Sequence, residues 1–201
     1  MKTINFIHIP KNAGTSIKQI CNKYTFKYHP HFTNVYNNID NQLIVIRNPI
    51  DRFISAVYYS LQKWSNEPHV KFLIDNKIDT PEKWVQIWMD PQHKYHKNLM
   101  TMIKNKDHKI GNTLLEYKWT YSPQYLWVNS PKYVIVMDNF KVEFQYFKKK
   151  YNIIGEIKTK NNSIHINDTL SNKSIEFLEE FYKKDFILYN LYKNMDINKR
   201  L

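Results

Sequence analysis

Two stretches constrain the fold of this chain more than any other feature: FIHIPKNAGTS at Phe6–Ser16 and IVIRNPIDRFISA at Ile44–Ala56. Each reads as a buried strand that runs into a cation-bearing turn and then into a helix opened by hydroxyl, amide or proline residues. Short apolar runs rich in β-branched residues, at Ile4–Ile9, Leu43–Arg47 and Tyr133–Met137, suit parallel strands covered on both faces. Such a sheet needs helices on each side, so a three-layer α/β fold is expected. Thr25–Tyr28 and Ile153–Ile157 are weaker strand candidates and bring the expected sheet to four or five strands.

Helical patterns lie between these runs. Thr15–Lys23 turns Ile17, Ile20 and Cys21 inward. Ser171–Lys184 does the same with Ile175, Leu178, Phe181 and Tyr182, and Ser171 suits its N-cap. From Ser65 to Tyr121 no run reads convincingly as a strand. Thr80-Pro81 opens a helix there with Trp84, Ile87 and Trp88 as its apolar stripe, so a largely helical insertion or lid is expected.

The 201 residues are 42% hydrophobic, enough for a substantial core, and no Pro/Gly/Ser-rich stretch divides them, so one domain over residues 1–201 is expected. The lone Cys21 excludes a disulfide framework and a Cys-based zinc site. No signal-like segment precedes Ile4 and no apolar run approaches the roughly 20 residues of a membrane span. A soluble protein of a reducing, cytoplasmic compartment is expected. The net charge of +12 fits either a lysine-rich solvated surface or an acidic partner. Nucleic acid is not the expected partner, for no zinc-finger, RNP or helix-turn-helix signature accompanies the charge. Anionic nucleotides and acidic glycans stay open.

In the first motif, Gly14 permits a backbone conformation or a close approach that a side chain would obstruct. The N–H groups of Gly14, Thr15 and Ser16 are expected to point into the loop as an anion cradle, with Lys11 as a mobile charge beside it. The order Lys, Gly, Thr-Ser departs from the nucleotide-triphosphate P-loop, where Lys follows the last Gly and directly precedes Ser or Thr. That disfavours an ATPase or kinase. In the second motif Asn48 caps a helix with Pro49 at its first position. Ile50, Phe53, Ile54, Val57, Leu61 and Trp64 form its core stripe, while Arg52, Ser55, Tyr59 and Gln62 lie opposite. Arg47 ends a buried strand, where a guanidinium needs either an internal carboxylate or a bound phosphate. Together the motifs suit a ligand with two separated anionic groups, such as a nucleotide phosphorylated at both ends.

With these residues the chain resembles the sulfotransferases that use 3′-phosphoadenosine 5′-phosphosulfate (PAPS), in particular the carbohydrate family that includes heparan 2-O-sulfotransferases. HIPKNAGTS is similar to that family's 5′-phosphosulfate loop, and RNPIDRFISA to its 3′-phosphate motif, an Arg followed eight residues later by a Ser. Weaker similarity covers Ser122-Pro123-Gln124-Tyr125-Leu126, Met137-Asp138-Asn139-Phe140, His165-Ile166-Asn167 and FYKKDFILYN near the C-terminus. Asn12-Ala13 replaces the Thr-Gly often seen in the loop, and Asp138 stands where Glu is more usual.

The resemblance implies a P-loop-like sheet with PAPS as co-substrate. Lys11 would contact the oxygen bridging sulfate and phosphate, and the loop from Asn12 and Ala13 through Gly14, Thr15 and Ser16 would hold the 5′ end. Arg47 and Ser55 would hold the 3′-phosphate. A loose in-line transfer demands positioning and charge stabilisation. A metal ion is not expected, since the sulfuryl group carries less charge than a γ-phosphate.

The acceptor hydroxyl, first expected on a carbohydrate, needs a base near neutral pH. His29 and His31 follow the second strand, where the family often places a histidine, and His31 is preferred as the one farther out. His8 reads as a hydrogen-bonded structural histidine. His93 and His96 have a metal-compatible spacing but lack a third ligand, and His165 with Asn167 would line the nucleotide pocket by family analogy. The alternatives to sulfuryl transfer are a P-loop-type phosphotransferase and a non-catalytic nucleotide- or glycan-binding relative.

Overall fold

Side chains along each apolar run alternate between two cores, which is why the runs settle as strands. The computed structural model describes residues 3–22, 25–31, 39–104, 107–110, 112–157 and 169–201. The chain begins with β1 (Ile4–Ile7), α1 (Gly14–Lys18), β2 (Phe26–His29), β3 (Gln42–Ile46) and α2 (Pro49–Lys63). Its middle contains α3 (Pro68–Asp75), α4 (Pro81–Met89), α5 (His96–Ile103) and a small hairpin of β4 (Lys109–Ile110) and β5 (Thr113–Leu114). A 3₁₀ turn at Gln124–Trp127 precedes β6 (Tyr133–Val136), which is followed by α6 (Phe140–Tyr151), α7 (Asn172–Phe181), α8 (Lys183–Lys193) and α9 (Ile197–Arg200).

The main sheet has four parallel strands in the order β2-β1-β3-β6. Phe6, Leu43, Val45, Tyr133 and Ile135 pack on one face with Ile17 of α1 and Phe144 and Phe147 of α6. Ile7, Ile44, Ile46, Val134 and Val136 pack on the other with Trp127 and Tyr189. Two covered faces make a helix–sheet–helix arrangement, as the continuous apolar runs require. A third cluster, outside the sheet, joins α2 and α7 to α3–α5 through Phe53, Trp84, Trp88, Leu99 and Leu178.

Several expectations need correction. Ile153–Ile157 is not a strand. Asn152 takes a left-handed conformation (φ 53) after α6 and Gly155 turns the chain at φ 118 against Ile20, so the segment bends over the core. The sheet therefore has four strands among the described residues. Helix α1 stops at Lys18, well short of Lys23, because the Asn22 carboxamide accepts the N–H groups of Thr25 and Phe26 and starts β2. The C-terminal pattern breaks at Tyr182 into two helices, α7 and α8, with Ser171 capping the first through the Ser174 N–H. The insertion carries three helices, α3–α5, with Thr80 capping α4 as expected, but helix covers less than half of it and it also carries the β4–β5 hairpin.

Candidate active site

β1 runs through α1 to β2 on one side, while its other neighbour, β3, leads on to β6. The carboxyl ends of β1 and β3 are therefore the topological switch point, the usual place for a ligand crevice in an open α/β sheet. β1 and β3 pair only at Asn5–Gln42 and Phe6–Leu43. Beyond that point side chains supply the hydrogen bonds. Asn12 Nδ2 donates to the Val45 carbonyl at 2.8 Å and to Gln124 Oε1 at 2.9 Å. Gln124 Oε1 also accepts the Arg47 N–H at 3.2 Å, and Gln124 Nε2 donates to the Arg47 carbonyl at 2.8 Å. The Asp185 carboxylate then holds the N–H groups of Gln124 and Tyr125 at 2.7 and 2.9 Å. Asn12 is thus fully buried structure tying the two loops together, and its side chain is not offered to a ligand.

In the first loop Lys11 (φ 68) and Ala13 (φ 57) adopt left-handed conformations, which are strained for residues with a Cβ. Gly14 has no positive φ. It is required for proximity, because a Cβ there would overlap the His8 ring. The N–H groups of Gly14 and Thr15 have no backbone acceptor among the described residues, but that of Ser16 donates to Ala13 O at 3.0 Å. The expected cradle therefore loses one of its three donors. The Lys11 ammonium lies 4.1 Å from the centre of the Tyr59 ring. Burial, then the charges of Arg47 and Arg52, pull its pKa from 10.5 down to about 8.

In the second loop Asn48 caps α2 by accepting from Ile50 and Asp51, with Pro49 in the first turn. The side of α2 opposite its core stripe is itself buried at Arg52 and Ser55. Arg52 Nε donates to the Pro10 carbonyl at 3.0 Å and a terminal nitrogen to the Trp119 carbonyl at 3.1 Å, clamping the first loop to the insertion. Helical spacing places Arg52 off the core stripe but cannot show that a loop and an insertion close over it. Arg47 donates to the Lys11 carbonyl at 3.3 Å. No carboxylate lies within ion-pair distance of Arg47 or Lys11 among the described residues, so internal salt bridging does not account for either cation.

Lys11, Gly14, Thr15, Ser16, Arg47 and Ser55 all line one cavity of about 1170 Å³. The structure brings His31 to it and leaves His29 off its walls, with Nε2 of His29 2.9 Å from Asn5 Oδ1. The Trp127 indole N–H donates to the His31 carbonyl at 2.6 Å, and the ring of His31 meets that of Trp119 edge-on at 4.2 Å. Burial and His108 lower the His31 pKa. The insertion adds His108, Lys118, Trp119 and Thr120 to this side, none of which the motifs pointed to. Thr120 Oγ1 is buried with no hydrogen-bond partner among the described residues. His8, read as structural, does bond the Tyr28 hydroxyl, yet it also lines the cavity.

Asp138 also lines the cavity, held by the Tyr189 hydroxyl at 2.6 Å and Lys193 at 3.1 Å. His93 and His96 serve the backbone of the insertion, through Tyr95 N and Ile87 O. No group of three or more metal-ligating side chains occurs among the described residues. His165 and Asn167 lie outside them. No helix of the described residues is long and apolar enough to cross a membrane. No family model, curated protein or solved structure matches this chain.

Proposed function

We propose that this protein is a PAPS-dependent sulfotransferase on a P-loop-like fold, transferring a sulfuryl group to an acceptor hydroxyl, with a carbohydrate as the first acceptor class to test. The observation that carries this reading is the pair Lys11 and Arg47. Two partly buried cations with no carboxylate within ion-pair distance among the described residues, on adjacent strand-end loops, face one cavity large enough for a nucleotide; Asp51 and Asp138 act on Arg47 only from farther away. Partly buried cations need counter-charge, and two of them suit a ligand anionic at two places. The departure of the first loop from the triphosphate P-loop order and the Arg47/Ser55 spacing favour a 3′,5′-bisphosphorylated nucleotide over ATP.

In this scheme the acceptor oxygen attacks sulfur as the bond from sulfur to the 5′-phosphate oxygen breaks. The bonding pair leaves on PAP (3′-phosphoadenosine 5′-phosphate), whose developing charge Lys11 stabilises. The hydroxyl proton passes to His31, which shares the cavity and, with its pKa lowered, is neutral and able to accept it.

Calorimetry with PAP and AMP tests the reading. Wild type should prefer PAP, and Arg47→Ala should remove most of that preference. The scale is about 1.5–3 kcal/mol for a hydrogen bond to a charged group. Equal wild-type affinity for the two nucleotides would sink the assignment.

A further inference from the structure

His8 has no part in the transfer scheme above, yet its surroundings assign it one. Nδ1 lies 2.7 Å from the Tyr28 hydroxyl. The Cδ2–Nε2 edge lies over Gly14, and the ring lines the same cavity as Lys11. Phenol is a better proton donor than neutral imidazole, and an unprotonated ring nitrogen is the better acceptor, so Tyr28 O–H donates to Nδ1. The Lys18 ammonium, 5.1 Å from the centre of the Tyr28 ring, favours the same polarity. With Nδ1 accepting, the ring proton sits on Nε2.

Charge explains why an imidazole suits this position. The Lys11 pKa is already lowered by burial and then by Arg47 and Arg52, and a third cation would lower it further. Burial first, then His31, Lys18 and Lys11, hold His8 down at about 3, so the ring stays neutral. A neutral donor adds a hydrogen bond to an anion without that repulsion.

Building on the nucleotide reading, we propose that His8 is a ligand-contacting residue, locked by Tyr28 so that its Nε2–H donates to the anionic 5′ group held beside Lys11. Residue 14 is glycine to seat that ring.

Nitrogen NMR of the full chain should show His8 protonated on Nε2, and Tyr28→Phe should mix the two tautomers. In calorimetry with PAP, His8→Ala should weaken binding on the order of tenfold, the scale of one hydrogen bond to a charged group. His8→Gln, whose amide N–H can replace Nε2–H, should recover most of the loss. Gly14→Ala, which displaces the ring, should weaken PAP binding in the wild type but add little in the His8→Ala background. An Nδ1–H tautomer in the wild type, or wild-type PAP affinity in His8→Ala, overturns the role of His8 and leaves the nucleotide reading standing. A wild type that does not bind PAP overturns both.

Discussion

The Gln124 side chain forms two hydrogen bonds with the backbone of Arg47, donating from Nε2 to its carbonyl and accepting its N–H at Oε1. A carboxamide thus stands in for a neighbouring strand where the β1–β3 pairing has ended. The same Oε1 accepts from Asn12, so one buried side chain sets the spacing of the Lys11 and Arg47 loops. Gln124→Leu should leave the Arg47 N–H and carbonyl without their partner and cost about 2–6 kcal/mol of stability, at about 1–3 kcal/mol for each unsatisfied group. The preference for PAP over AMP should fall with it. Urea unfolding and calorimetry on the same preparation check both, and a variant as stable as wild type would refute the spacing role.

Lys11→Ala should slow sulfuryl transfer, or PAPS hydrolysis, far more than it weakens PAP binding, since its contact strengthens as the bridging bond breaks. The lysine also sets a pH dependence. Its pKa of about 8 in the folded chain means that its charge is lost as pH rises through that value. PAP affinity should fall over the same range, and Lys11→Ala should flatten the profile. Stability moves the opposite way. Between about 8 and 10.5 the unfolded chain binds the extra proton at this site, so the Lys11 contribution makes stability rise with pH there. An affinity profile identical in wild type and variant would rule this out.

Arg52→Ala should be among the most destabilising single changes, at about 1–3 kcal/mol for each of the two carbonyls it leaves unsatisfied. It releases the carbonyls of Pro10 and Trp119 and removes a positive charge whose field favours the Asp185 carboxylate. Burial already raises the Asp185 pKa, and loss of Arg52 should raise it further. A carboxyl with a raised folded pKa binds more protons folded than unfolded, so the deficit should narrow as pH is lowered from neutral to near the ordinary aspartate pKa. Denaturant curves at the two pH values would show whether it does.

Ala13→Gly should stabilise the chain by about 1 kcal/mol, because the left-handed conformation at φ 57 costs a residue with a Cβ and not glycine. A lower unfolding midpoint in the variant would contradict the strain.

His31→Ala should lose about 10²–10⁴-fold in turnover while keeping PAP affinity, as expected of a general base. His29→Ala should change turnover little, because that side chain lies off the cavity beside Asn5. A reversal of the two effects would move the base to His29.

Local sequence was enough to identify the strands of the sheet, the Asn48-Pro49 start of α2, the Thr80 and Ser171 caps, and the two cation-bearing loops. Each depends on periodicity, β-branching or capping within a few residues. Tertiary structure decided what those signals cannot carry. Arg52 and Ser55 are buried because the Pro10 loop and the Trp119 segment close over the side of α2 that its own periodicity turns away from the core. Gln124 and Asp185, inside segments of only weak similarity, become the braces of the site because the fold brings Gln124 77 positions back to Arg47 and Asp185 61 positions back to Gln124. His29 and His31 are two residues apart and alike in sequence, yet only His31 reaches the cavity. Gly14 looked like a conformational glycine and proved to be one of proximity, for the His8 ring that occupies the space of a Cβ becomes its neighbour only when β1 and α1 fold back on each other.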